Sequence, residues 1–267
     1  MKNYAKNNPS AEELLELLKV LRSPSGCPWD REQTRASLRK YMVEETAELA
    51  DAIDENNPHG ICEETGDVLM NLMMQSLVAE ENGEFTFADA VADIYDKMLR
   101  RHPHVFGSAV AADADAVTKL WDKVKSAEPE KAERTSVLDS VPKSLSALSQ
   151  AAKLQKKAAK LGFDWQKTSE ITAKIDEELN EVKQALADGD NAAVDEEIGD
   201  LLFAVVNLAR FRKTDPEELL RNANRKFSTR FRYVEERMRD RDWKSTDINE
   251  LESYWQEAKS LEKKRKE

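Results

Sequence analysis

The sequence predicts an all-α protein built from two tandem, homologous helical domains. Three observations carry that prediction. The 267 residues include only eight Gly and eight Pro, while Ala, Leu, Glu and Lys abound, a composition that favours long helices over sheet. Apolar residues recur at helical spacing, in Ile171, Ile175, Leu179, Val182 and Leu186 and again in Val194, Ile198, Leu201, Val205 and Leu208. An acidic pattern also occurs twice: Glu44-Glu45-x-x-Glu48 precedes Glu64-x-x-Asp67, and Glu177-Glu178-x-x-Glu181 precedes Glu197-x-x-Asp200. The offset is 133 residues at each of these five positions.

In the first half, helices are expected over 10–22, 35–56, 61–81, 86–100 and 115–126. The Pro and Gly of Ser23-Pro24-Ser25-Gly26-Cys27-Pro28-Trp29-Asp30 mark a loop after the first of them. His102-Pro103-His104 follows a helix end and reads as a surface loop. The polar stretch from Glu128 to Val141, with Pro129, is the linker, which gives domains 1–130 and 131–267. The second half repeats the order, with helices over 143–160, 168–187, 191–212, 215–238 and 247–264. Its entry loop matches too: Gly26-Cys-Pro-Trp29 and Thr34 align with Gly162-Phe-Asp-Trp165 and Thr168. The short Asp188-Gly189-Asp190 turn should let its flanking helices pack as an antiparallel pair. On a helical wheel, Glu178 and Glu197 fall roughly 60–70° from the centres of their apolar stripes, and Glu181 and Asp200 roughly 120–130°. The carboxylates therefore edge the packed seam and converge from neighbouring helices.

Several function classes are excluded. A formal charge of −11 argues against a general nucleic-acid binder, because phosphate binding rests on basic surface; the Lys263-Lys264-Arg265-Lys266 tail reads as a solvated helix end. Two cysteines, Cys27 and Cys62, form no Cys-x-x-Cys pair, so neither a disulfide framework nor a zinc site is indicated and a reducing compartment fits. No apolar run has membrane-spanning length and the start lacks a signal-peptide core, so a cytoplasmic protein away from membranes is expected. All three histidines, His59, His102 and His104, fall in the first half, so chemistry shared by both halves does not depend on a histidine base. Neither a Walker-type Gly-rich loop nor a Gly-x-Ser-x-Gly elbow is present.

A single Glu-x-x-Glu is ordinarily a solvated helix face. Two separated carboxylate pairs that keep their mutual spacing across a duplication instead suggest one cluster of hard oxygen ligands, suited to Mg²⁺. Downstream, Lys97-x-x-x-Arg101 corresponds to Lys226-x-x-x-Arg230, and Trp121-x-x-x-Lys125 to Trp255-x-x-x-Lys259. Spacing of four puts each pair on one helical face. Arg can hold a phosphate in a fork and Lys as a point charge, while Trp either stacks on a base or fills the core. Together these groups describe a site for a Mg²⁺–nucleotide.

The ordered set of Gly26-Cys-Pro-Trp-Asp30, the two acidic patterns, Arg100-Arg-His-Pro-His-Val-Phe106, Leu161-Gly-Phe-Asp-Trp165 and Glu197-Ile-Gly-Asp-Leu-Leu-Phe203 resembles the MazG family of nucleoside triphosphate pyrophosphohydrolases, in its two-domain form. The resemblance implies four-helix cores, usually a homodimer, and Mg²⁺-dependent hydrolysis of a nucleoside triphosphate to monophosphate and pyrophosphate, with Mn²⁺ as a substitute ion. It implies that Glu178, Glu181, Glu197 and Asp200 bind metal, that Glu177 helps to orient the water, that Lys226, Arg230 and Lys259 contact phosphates, and that Trp255 lies beside the base. Equivalent residues in the first half are Glu44, Glu45, Glu48, Glu64, Asp67, Lys97, Arg101, Trp121 and Lys125, a second candidate site. The second half is the expected principal site, with broad base tolerance and a house-cleaning role. Two other readings compete: an enzyme specialised for one nucleotide, and a non-catalytic helical adaptor whose acidic clusters are plain surface.

Overall fold

The computed structural model describes residues 8–126 and 135–266. All regular structure among them is helical, and the chain divides into two compact units, Met1–Lys131 and Ala132–Glu267. Much of the linker stretch, from residue 127 to 134, lies outside the described residues.

The first unit comprises α1 (Ala11–Arg22), α2 (Pro28–Glu32), α3 (Arg35–Asp54), α4 (Pro58–Glu81), α5 (Phe87–Arg101), α6 (Pro103–Phe106) and α7 (Ala114–Ser126). Side-chain caps set the starts. Ser10 pairs reciprocally with Glu13, Thr34 with Ser37 and Thr86 with Asp89, each relieving amide donors that have no carbonyl partner in the first turn. Helices α3 and α4 form the central hairpin, with α1 and α5 against α4. Their core is Leu18, Leu38, Met73, Met74, Leu77 and Val78, flanked by Leu14, Leu15 and Phe87. Arg22, almost wholly buried, donates to both carboxylate oxygens of Glu81 at 2.7 and 2.6 Å and to the Asp30 carbonyl at 2.6 Å. That fork locks the end of α1 and the Pro-Trp segment onto the end of α4.

The second unit holds a 3-10 turn (Val137–Ser140), α8 (Ala147–Ala159), α9 (Thr168–Asp188), α10 (Asn191–Phe211), α11 (Pro216–Arg237) and α12 (Ile248–Lys266). Gly189, in the left-handed region at φ 73°, ends α9, and Asp190 accepts from the amides of Ala192 and Ala193 to start α10. The hairpin α9–α10 packs on α8 through α10, and α11 pairs with α12. Gln155 of α8 donates to the Phe203 carbonyl at 2.8 Å, and Arg210 of α10 binds Asp164 in the entry loop, one contact at 3.1 Å.

Three details differ from the sequence reading. Pro28 and Pro103 each open a helical turn, α2 and α6, where loops were expected, because proline is pre-set for the first helical position. Helix α4 likewise starts at Pro58, and α8 only at Ala147. Helix α9 starts at Thr168 as expected, where the Glu170 carboxylate accepts from the Lys167 amide at 3.0 Å. The packed stripe of α9 is Ile171, Glu178, Val182 and Ala185, so Glu178 sits on the buried face and not at its edge. Leu179 and Leu186, one residue further round at each turn, are exposed, as are Ile198 and Val205 on α10. Among the described residues no helix is long and apolar enough to cross a membrane.

The burial pattern sets expectations for stability. Ile171→Ala, at a side chain 1% exposed, should cost about 2–5 kcal/mol, read as a lower urea midpoint by circular dichroism. The same truncation at Ile248, 72% exposed, should cost less than about 0.5 kcal/mol.

Candidate metal centre

Each central hairpin gathers carboxylates from both of its helices. On α9–α10, one oxygen each from Glu178, Glu197 and Asp200 lie within 4.8 Å of one another; on α3–α4 the corresponding group is Glu45, Glu48 and Glu64. The pairs Glu45–Glu64 and Glu178–Glu197 are thus common to both halves. The tight turn after α9 fixes the register in which Glu178 and Glu197 face each other. An all-carboxylate donor set with ligands from two rigid helices fits a hard divalent metal ion.

Desolvation, hydrogen bonding and the proximity of like charges show in the protonation of these groups. The Glu45 carboxyl is raised above the ordinary glutamate range by desolvation and then by the charges of Asp67, Glu48, Glu64 and Glu44. Glu64 is raised by desolvation and by Glu48, Asp67 and Glu63. In the second unit Glu181 is raised by its hydrogen bond with Glu178, then by desolvation and the charges of Glu178 and Glu197. Glu178 goes the other way. Lys174, one turn earlier on α9, places Nζ 2.8 Å from Glu178 and 2.7 Å from Glu177, and this hydrogen bond holds the Glu178 carboxyl low. Lys174 was missed in the sequence, although its i,i+4 spacing to Glu178 was the available signal.

The remaining candidates sit on the other helices. Lys226 is exposed on α11 and Lys259 on α12. Arg230 donates through Nε and Nη2 to Glu262 at 2.9 and 2.8 Å, with its guanidinium 5.7 Å from the half-buried Trp255 ring. Phe227 lies 5.3 Å from Trp255 and stacks on Phe231 at 5.8 Å, so the aromatic surface is wider than the single Trp the sequence suggested. In the first unit Lys97 binds Asp93 at 2.8 Å, and Arg101 lies 5.3 Å from the Trp121 ring. His102 accompanies that Trp edge-on at 5.1 Å, with Nδ1 2.7 Å from the Met98 carbonyl. The histidine segment is therefore part-buried and packed, not a free surface loop. Glu44, Glu177 and Lys125 are exposed, and Asp67 is half-buried beside the first acidic group.

Residues 33–106 and 166–234 match the MazG nucleotide pyrophosphohydrolase domain. Both segments contain the acidic hairpin and the following Lys/Arg pair; the Trp/Lys helices fall outside them. The chain is 41% identical over 251 residues to the nucleoside triphosphate pyrophosphohydrolase/pyrophosphatase MazG of Thermotoga maritima, covering 93% of this chain and 95% of that protein. It is 42% identical over 258 residues to a nucleoside triphosphate pyrophosphohydrolase of Escherichia coli, covering 94% and 97%. The uncharacterized protein YabN of Bacillus subtilis is 44% identical over 251 residues, which span 93% of this chain and 51% of that one.

Opposite shifts give opposite pH responses in the metal-free protein. Glu45 and Glu64, raised on folding, contribute stability that is full below the ordinary glutamate pKa and lost as pH rises through their folded values. Glu178, lowered on folding, contributes stability present above the ordinary value and lost as pH falls through its own. Carboxyl-detected NMR titration should find Glu45 and Glu64 above, and Glu178 below, the ordinary glutamate value.

Proposed function

The chain belongs to the MazG nucleotide pyrophosphohydrolase family, and from that premise we propose a Mg²⁺-dependent enzyme, also served by Mn²⁺, whose principal site is the α9–α10 hairpin. It hydrolyses a nucleoside triphosphate to the monophosphate and diphosphate. The observation that carries the site assignment is the convergence of Glu178 with Glu197 and Asp200 from two helices, inside a family-matched segment. Glu178, Glu197 and Asp200, with Glu181 beside them, would hold the metal. When bound there, Mg²⁺ supplies charge that polarises the α-phosphate and eases deprotonation of the attacking water.

The chain's own groups do the rest. Glu177, exposed next to the cluster, orients the water and takes its proton. Lys226 and Lys259 offset charge building on the diphosphate leaving group, as does Arg230 once it exchanges Glu262 for phosphate. Trp255, extended by Phe227, offers a flat face on which a base stacks; stacking is tolerant of base identity, which favours broad specificity and a role in clearing unwanted nucleotides. The first unit carries a second candidate site at Glu44, Glu45, Glu48, Glu64 and Asp67, with Lys97, Arg101, Trp121 and Lys125.

A homodimer belongs to the same reading. Three positions related by the 133-residue offset are exposed and apolar in both hairpins: Ile53 and Leu186 (53% and 61%), Met70 and Phe203 (36% and 45%), Leu72 and Val205 (46% and 47%). Apolar side chains repeated on a helix hairpin call for a partner surface, and a second copy offers a matching one.

Two experiments test these proposals. Ion-exchange analysis of mixed nucleoside triphosphates should yield monophosphate and diphosphate with Mg²⁺ but not with EDTA. Asp200→Ala should lower that turnover by about 100-fold or more with an unchanged helical spectrum, while Asp67→Ala keeps most of it. The reverse pattern would move the principal site to the first unit, and nucleoside diphosphate with free phosphate would refute the cleavage position. For assembly, light scattering should give twice the chain mass, reduced to one by the pair Leu186→Asp and Val205→Asp; a monomeric wild type would remove the dimer.

A further inference from the structure

The two acidic groups are not electrostatic copies of each other. The offset that carries Glu45 to Glu178 also carries Tyr41 to Lys174. Lys174 sits four residues before Glu178 on α9, and its ammonium bridges Glu177 at 2.7 Å and Glu178 at 2.8 Å. Glu178 is only 6% exposed, so the lysine faces a carboxylate that water cannot freely solvate. Tyr41 turns elsewhere: its ring packs on Trp29 at 5.8 Å, with the Lys40 Nζ 5.9 Å from its centre. Among the described residues, the charges that raise Glu45 are those of Asp67, Glu48, Glu64 and Glu44, all acidic.

We propose that Lys174 is a built-in counter-cation of the α9–α10 centre, holding Glu178 in place and competing with the divalent ion for it, so that this centre binds metal more weakly than the one on α3–α4. The proposal deepens the metal-site reading above and rests on it. Its physics is charge balance. A carboxylate cluster without a cation gains the full attraction of a doubly charged ion. A cluster already bridged by an ammonium gives up an ion pair to accept the same ion and keeps a positive charge nearby. Even close to the dielectric of water, one positive charge within about 5 Å of a divalent ion weakens its binding by about tenfold. Lys174 thus acts as a positioning and affinity-setting residue, through Glu178 rather than on substrate.

Mn²⁺ binding to the full-length, nucleotide-free chain tests this by electron paramagnetic resonance of the free ion. Glu48→Gln with Glu64→Gln silences the first cluster so that the second is read alone, and Glu197→Gln with Asp200→Asn does the converse. In the first background Lys174→Met should tighten Mn²⁺ about tenfold, whereas Lys174→Arg, which keeps the charge, should leave affinity near that of the parent. In the second, Tyr41→Lys should weaken Mn²⁺ by a similar factor. Circular dichroism reports whether each variant is folded. Unchanged or weaker binding in folded Lys174→Met overturns the counter-cation role, with the metal-site reading intact. No Mn²⁺ bound in either background overturns that reading, and the proposal with it.

Discussion

Crowding carboxylates onto one pair of helices is the constraint on which the rest of this structure depends. Like charges at helical spacing oppose one another, and burying one of them adds a desolvation cost. The hairpin nevertheless brings Glu178, Glu197 and Asp200 within 4.8 Å, with Glu178 in the packed stripe between Ile171 and Val182. Such an arrangement persists only where something positive balances it. In the second unit the chain supplies part of that balance itself, from Lys174; in the first it raises the protonation of Glu45 and Glu64 instead.

Much of the remaining architecture serves to hold the hairpin rigid. Gly189 and Asp190 turn the chain within two residues, which sets the register between the helices. Arg210 anchors the entry loop through Asp164, and Gln155 ties α8 to the α10 backbone at Phe203. In the first unit Arg22 performs the equivalent task with Glu81 and the Asp30 carbonyl. These contacts lie away from the carboxylates, yet a slip of one turn would separate them. Positioning here is built from backbone geometry and a few forked hydrogen bonds.

The long helices and the carboxylate pairing were legible in the sequence because both depend on local periodicity. The turn at Gly189 was legible from its residue types alone. What escaped was whatever depends on a partner far along the chain or on a choice between two helix faces. The Arg230–Glu262 pair joins residues on different helices, and no spacing rule announces it. Leu179 and Leu186 look like core on a wheel beside Ile171 and Val182; only packing reveals that Glu178 and Ala185 take their place. The short turns at Pro28 and Pro103 were obscured because proline signals a loop and a helix start with equal force.

Each carboxylate group found among the described residues is drawn from a single hairpin. An ancestral protein with a single hairpin would therefore have carried a complete set, and duplication made a spare. Where one copy suffices for the chemistry the other is free to drift, and a single exchange such as that between Tyr41 and Lys174, one turn before the buried glutamate, would retune a copy without loss of the whole. Redundancy of this kind lets one polypeptide hold two versions of the same carboxylate cluster.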